Sequence, residues 1–128
     1  MSLVDVDRLR EIAEVECAGI VVEALIPGIN ELRVILVDGS FVDVWFSLRL
    51  HNRYSFHWER RAIDGTIYRH DNAPHLRWQS IATFPSHFHN GSETDVEDSR
   101  LSEVPEEALR EFFTFVRDRM GTSPRSSQ

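Results

Sequence analysis

The sequence predicts an α+β protein: an antiparallel β-meander of about four to six strands, flanked by an N-terminal and a C-terminal helix. Three observations predict it. Apolar residues recur at helical spacing near both ends of the 128-residue chain, the middle alternates with period two, and the pairs Asp38-Gly39 and Asp64-Gly65 separate alternating runs. Taking the elements in order, residues 3–17 read as a helix, with Leu9, Ile12, Ala13 and Glu16 at i, i+3, i+4 spacing, Asp5 and Asp7 at the positive end of its dipole, and Ser2 followed by Asp5 as a cap. After Gly19, residues 20–26 are apolar and β-branched, a strand ending at Pro27-Gly28. Residues 31–37 and 40–48 flank the first Asp-Gly and form a hairpin, and residues 53–60 and 66–70 flank the second. Alternation in 53–60 puts Tyr54, Phe56 and Trp58 on one face and Ser55, His57 and Glu59 on the other. Pro74 and Pro85 interrupt the pattern beyond Asp71, which leaves loop with one short strand at 80–84, followed by a polar, acidic surface loop at 91–99. Pro105, Glu106 and Glu107 open a helix whose apolar stripe, Leu109, Phe112, Phe113 and Val116, runs to Gly121. Residues 1–121 are expected to form one domain and 122–128 a disordered tail.

Composition narrows the function. The net charge is −7 and all fourteen basic residues are Arg, with no Lys. High-GC coding bias accounts for the missing Lys without functional pressure, but it does not account for where the Arg lie. Residues 49–89 hold six Arg against three acids, all six His and seven of the thirteen aromatics, so a basic, histidine-rich middle sits inside an acidic frame. The lone Cys17 has no partner for a disulfide, and the apolar runs are cut by Glu23 and Glu31 before they could span a bilayer. The acidic N-terminus lacks the basic start of a signal peptide. A cytoplasmic protein without membrane contact is expected.

Reactive side chains concentrate in residues 68–75 and 83–89. No nucleophile elbow surrounds Ser80 or Ser86, no glycine-rich phosphate loop is present, and Cys17 lies among acids that would not activate a thiol. His87 and His89 at i, i+2 share a face if extended, and His70, Asp71 and His75 could complete an N/O metal-ligand set with them, although no paired-Cys or HExxH spacing accompanies them. No cofactor is therefore expected. Acid/base chemistry on RNA is the competing reading. An attacking 2′-hydroxyl needs a base, the leaving oxygen needs an acid, and the phosphate needs cations. Imidazoles at His57, His70, His75, His87 and His89 and the guanidinium groups of Arg53 and Arg69 meet those needs, with Tyr68, Trp58 or Phe88 to stack a base. Tyr54 and Phe56 read more simply as the buried face of a strand. Asp71-Asn72-Ala73-Pro74 reads equally as a rigid turn or as the support of a catalytic His.

Four segments in order, residues 38–41 (Asp-Gly-Ser-Phe), 53–58 (Arg-Tyr-Ser-Phe-His-Trp), 67–75 (Ile-Tyr-Arg-His-Asp-Asn-Ala-Pro-His) and 83–89 (Thr-Phe-Pro-Ser-His-Phe-His), resemble the TumE-like toxin family of prokaryotic toxin–antitoxin modules. The resemblance runs from about Leu32 to the last helix and leaves the N-terminal helix and the 92–99 loop outside its motifs. It carries Tyr54, His57, Trp58, Arg69, Asp71, Asn72, His75, Pro85, His87 and His89 as motif positions, and departs at His70, where relatives have an aromatic, and at Ser86, where a His is common. It implies the toxin component of a type II module, encoded beside a helix-turn-helix antitoxin. The expectation from residues and resemblance together is an RNA-cleaving or RNA-binding protein. His57, His75, His87, His89 and Asp71 are its candidate catalytic residues, and Arg53, Arg69, Asn72, Trp58 and Tyr68 contact substrate. The alternative is a non-catalytic ligand- or metal-binding module, with His75, His87 and His89 as the metal set. An exposed sheet edge would also suit a homodimer.

Overall fold

The computed structural model describes residues 4–121, so the expected tail and the Ser2 cap lie outside the described residues. In chain order the elements are α1 (Val6–Glu16), β1 (Val21–Gly28), β2 (Glu31–Leu36), β3 (Phe41–Phe46), β4 (Tyr54–Arg60), a one-turn α2 (Arg61–Asp64), β5 (Thr66–Asp71), a single 3₁₀ turn (Leu76–Trp78), β6 (His87–Gly91), β7 (Val96–Asp98) and α3 (Pro105–Gly121). All seven strands form one antiparallel meander in sequence order, an α+β architecture with one strand more than the upper end of the expected range.

Two corrections account for the difference. Residues 80–84 are not a strand. Trp78, Gln79, Ile81, Phe84 and Ser86 each donate a backbone N–H to the carbonyl three residues earlier, so the stretch before Pro85 coils in successive turns. The strand lies just beyond, at 87–91, and the acidic segment supplies a second one, because residues 96–98 pair with β6 despite their polar sequence.

The turns follow the glycines. Gly39 and Gly65 have φ of 89° and 81°, a region in which a Cβ is strained, and each closes a hairpin. Asp38 reinforces the first: Oδ1 accepts from Ser40 N at 2.9 Å, and Oδ2 accepts from Arg60 on β4 at 2.6 Å.

Alternation directs Leu32, Val34, Leu36, Val42, Val44, Phe56 and Trp58 to one face of the sheet, where α1 and α3 cover them. From α1 come Val6, Leu9, Ile12 and Ala13, and from α3 come Leu109, Phe112, Phe113 and Val116. Burying one such Leu or Phe contributes about 1.5–3 kcal/mol, more than the roughly 0.3–1 kcal/mol of a charge at a helix end, so packing rather than capping holds the helices. Asp5 still caps α1 by accepting from Arg8 N at 3.0 Å. Glu16 leaves the apolar stripe assigned to it: it is exposed and accepts two hydrogen bonds from Arg110 of α3. Cys17 is buried at the end of α1, and burial raises its thiol pKa.

The uncovered face carries the polar half of the alternation. Cross-strand pairing lines up Arg33, Asp43, His57, Arg69, His89 and Val96 in one row from β2 to β7. Glu31, Trp45, Ser55, Asp71, His87 and Asp98 form the row beside it.

Candidate functional site

Where these two rows cross β5 and β6, a cleft of roughly 430 Å³ opens. Arg69, Asp71 and His89 are in its floor, and Trp45, Arg53, His75, Arg77, Trp78 and Glu93 are in its walls. Asp71 and His87 are direct cross-strand partners, as are Arg69 and His89, so period two delivers all four side chains to the same patch.

Local structure fixes how each is held. Asp71 Oδ1 accepts from Ala73 N at 3.0 Å, the turn that the Asp-Asn-Ala-Pro sequence suggested, and Oδ2 accepts from Arg69 Nε at 3.0 Å. His87 Nδ1–H donates to the Pro85 carbonyl at 2.8 Å and His89 Nδ1–H to the Glu93 carbonyl at 3.0 Å. A carbonyl can only accept, so each ring has a proton on Nδ1, and in its neutral form the lone pair is on Nε2. The loop bearing Pro85 is itself tied down. Thr83 Oγ1 donates to Ser86 O at 2.7 Å and accepts from Ser99 N at 2.9 Å, and the Tyr54 and Ser86 hydroxyls lie 3.2 Å apart.

Arg69 is the electrostatic hub. It donates to Glu93 through both terminal nitrogens, at 3.1 and 2.6 Å, and to His57 Nδ1 at 3.3 Å as well as to Asp71. Burial disfavours its charge, but the hydrogen bonds it donates to Glu93 and Asp71 outweigh that and raise its pKa. Its hydrogen bonds in turn lower the Glu93 pKa. Burial first, and then the positive charge of Arg69, lower the His89 pKa. His57 stands behind this hub: with Nδ1 accepting from Arg69, its Nε2–H donates to Glu59 at 3.0 Å. Arg61, through side-chain hydrogen bonds above all, brings the Glu59 carboxyl down to about 2.

The expected site residues therefore separate into groups. Asp71, His89 and Arg69 meet at the floor with the fully buried His87 beside Asp71, and Arg53 and His75 line the wall. The Arg53 and His75 side chains have no hydrogen-bond or ion-pair partner among the described residues. His57 braces Arg69. Asn72 is a clamp with both ends engaged, its Oδ1 accepting from Tyr54 N and its amide donating to the Asn52 carbonyl. Trp58 and Tyr68 lie on the opposite face, in the core. Trp58 is fully buried, donates to Ser40 Oγ at 2.9 Å and packs on Tyr68, so neither ring is presented to the cleft, and Phe88 belongs to the same aromatic cluster. His70 is also on the core side. It stacks on Phe88 at 4.3 Å, lies edge-on to Phe112 and pairs with Ser99 Oγ at 2.8 Å, while burial lowers its pKa to about 4. A neutral His there packs as an aromatic ring does.

For a metal, the described residues that group with ligand geometry are Asp71, His87 and His89, with ligand atoms within 4.8 Å of one another. His75, expected in that set, lies outside it, exposed in the irregular segment after β5 that lines the cleft. Sequence reasoning missed Trp45, Arg77, Trp78 and Glu93. The parity of β3 already held the signal for Trp45, which alternates with buried Val42 and Val44. The other three reach the cleft from irregular or loop segments, where no periodicity speaks. Arg77 lies over the Trp78 ring at 4.6 Å, and Trp78 packs against the rings of His87 and His89.

Residues 8–120 match the family model described as Toxin TumE. The chain belongs to that family. The match starts at Arg8 and so takes in most of α1 and the 92–99 segment, both outside the motifs that carried the resemblance. No curated protein and no solved structure matches the chain. Membership in a toxin family points to an antitoxin as partner. Among the described residues, no helix is long and apolar enough to cross a membrane.

Proposed function

We propose that this chain is the toxin of a type II toxin–antitoxin module, that it works in the cytoplasm against RNA, and that a helix-turn-helix antitoxin neutralises it. The observation that carries the RNA reading is the basic wall of the cleft. In a chain of net charge −7, the partnerless side chains of Arg53 and His75 and the exposed Arg77 flank one concave site. Guanidinium forks suit phosphate oxygens, and Trp45, 36% exposed in the same cleft, offers a face for a base.

In this reading a 2′-oxygen attacks the adjacent phosphorus and the bond to the 5′-oxygen breaks, giving a 2′,3′-cyclic phosphate and a free 5′-hydroxyl. His75 takes the 2′-hydroxyl proton, water in the cleft protonates the leaving oxygen, and Arg53 and Arg77 offset the phosphate charge. DNA has no 2′-hydroxyl and is left intact.

Purified protein incubated with end-labelled RNA and DNA of one sequence tests this. RNA alone should be cut, and His75→Gln should slow the cut by about 10²–10⁴-fold, the usual worth of a positioned acid or base. Induced wild type should arrest growth and H75Q should not. Intact RNA together with unimpaired growth would sink the reading.

A further inference from the structure

We propose that Asp71, His87 and His89 form a binding site for one divalent first-row transition-metal ion at the floor of the cleft. The inference stands on these three ligands and holds whether or not RNA is the substrate.

Two imidazole nitrogens and a carboxylate converge there: His87 Nε2 is 3.2 Å from Asp71 Oδ1, and His89 Nε2 is 3.7 Å from Asp71 Oδ2. Ligand atoms about 2.0–2.2 Å from a common ion stand at similar separations, so only small movements would complete the first shell. Both rings have their protons on Nδ1, spent on the carbonyls of Pro85 and Glu93. In the neutral rings the Nε2 lone pairs then face carboxylate lone pairs, acceptor against acceptor. The His87 side chain is 1% exposed, and its Nε2 lacks any hydrogen-bond partner; the approach to Oδ1 is close enough for an ion pair but is not aligned as a hydrogen bond. A buried polar atom is ordinarily satisfied. A cation between the three groups satisfies all of them at once.

The surroundings match what a metal ligand needs. An Nδ1–H donated to a backbone carbonyl fixes a ligating imidazole in tautomer and orientation. Each Asp71 oxygen receives one donor, Ala73 N or Arg69 Nε, and keeps a lone pair for the ion. Glu93 holds both terminal nitrogens of Arg69, which offsets the guanidinium charge beside the ion. Asp71 and His89 line the cleft, so the ion's remaining positions would open into it, as in catalytic rather than closed structural sites. A two-imidazole, one-carboxylate set suits Zn²⁺, Fe²⁺, Ni²⁺ or Mn²⁺, whereas Mg²⁺ and Ca²⁺ favour oxygen ligands.

Full-length protein stripped with chelator and titrated calorimetrically with Zn²⁺, Ni²⁺ and Mn²⁺ tests the proposal, with Co²⁺ absorption reporting coordination geometry. One ion per chain should bind and raise the Tm, and excess Mg²⁺ should not displace it. D71N and H89Q should stay folded by circular dichroism yet bind at least about tenfold more weakly, while H75Q should bind as wild type does. Absence of binding to the stripped wild type, full binding by folded D71N and H89Q, or loss of binding in H75Q would each overturn the proposal. The RNA assay run on the same preparations separates the two ideas. RNA cut by protein that binds no ion overturns the metal site alone, whereas a bound ion without RNA cleavage supports the metal site and counts against the RNA reading.

Discussion

At the scale of single residues, the uncovered face of the sheet is organised by what each charged group lacks if left alone. Arg69 is half-buried in the literal sense: one side pairs with Asp71 in the cleft floor, the other with Glu93, and His57 braces it from behind. His57 is braced in turn by Glu59, whose carboxyl is held at about 2 against an ordinary 4.5, first by Arg61 and then by His57. A carboxyl with its pKa depressed by folding contributes stability that is fully present above 4.5 and is lost as pH falls from there towards 2, because the unfolded chain takes up the proton first. Glu59→Gln should therefore lower stability near neutral pH, and its deficit relative to wild type should shrink on acidification through that window. Urea unfolding of both proteins across it checks the sign, and a deficit that grew at low pH would contradict the assignment. His57, a candidate acid or base from sequence, has both ring nitrogens committed in this chain, something residue type and spacing do not reveal.

Among the elements, the hairpins were legible because their signals are local. An Asp-Gly pair between alternating runs needs only a left-handed glycine and a register, and β2–β3 and β4–β5 pair as the pattern requires. At Gly39 a Cβ would meet nothing within 4 Å, so the φ of 89° is the whole obstacle to a side chain. Gly39→Ala should cost about 1–2 kcal/mol by backbone strain alone. Gly19 also has open space around its would-be Cβ but no positive φ, and Gly19→Ala should be neutral or stabilise by about 0.4–1 kcal/mol. Chemical denaturation of the pair tests this, and equal effects would refute the backbone account. Strands β6 and β7 were not legible. His-Phe-His-Asn-Gly has one apolar residue to alternate, and Val-Glu-Asp has one more at the sheet edge. Their extension is decided by hydrogen bonds to a neighbour that already exists, β5 for β6 and β6 for β7.

For the whole molecule, the uneven charge noted in the sequence becomes a cleft with a basic wall. If RNA lies along Arg53 and Arg77, affinity should fall with salt, and the double variant R53A/R77A should flatten the log–log salt dependence by about 0.7 per arginine removed, the value for single strands. Binding measured by fluorescence anisotropy at several salt concentrations decides it, and an unchanged slope would place the phosphates elsewhere. The sequence by itself determined the α+β class, both flanking helices, the two Asp-Gly hairpins and the family. Each of these depends on periodicities or motifs carried within a short stretch of chain. Only the tertiary structure decided that Asp71 joins His87 and His89 while His75 stands apart, that Tyr68 belongs to the core, and that Arg77, Trp78 and Glu93 face the cleft. Those facts depend on cross-strand register and on where loops return, which are set by contacts between residues far apart in sequence and leave no local periodic trace.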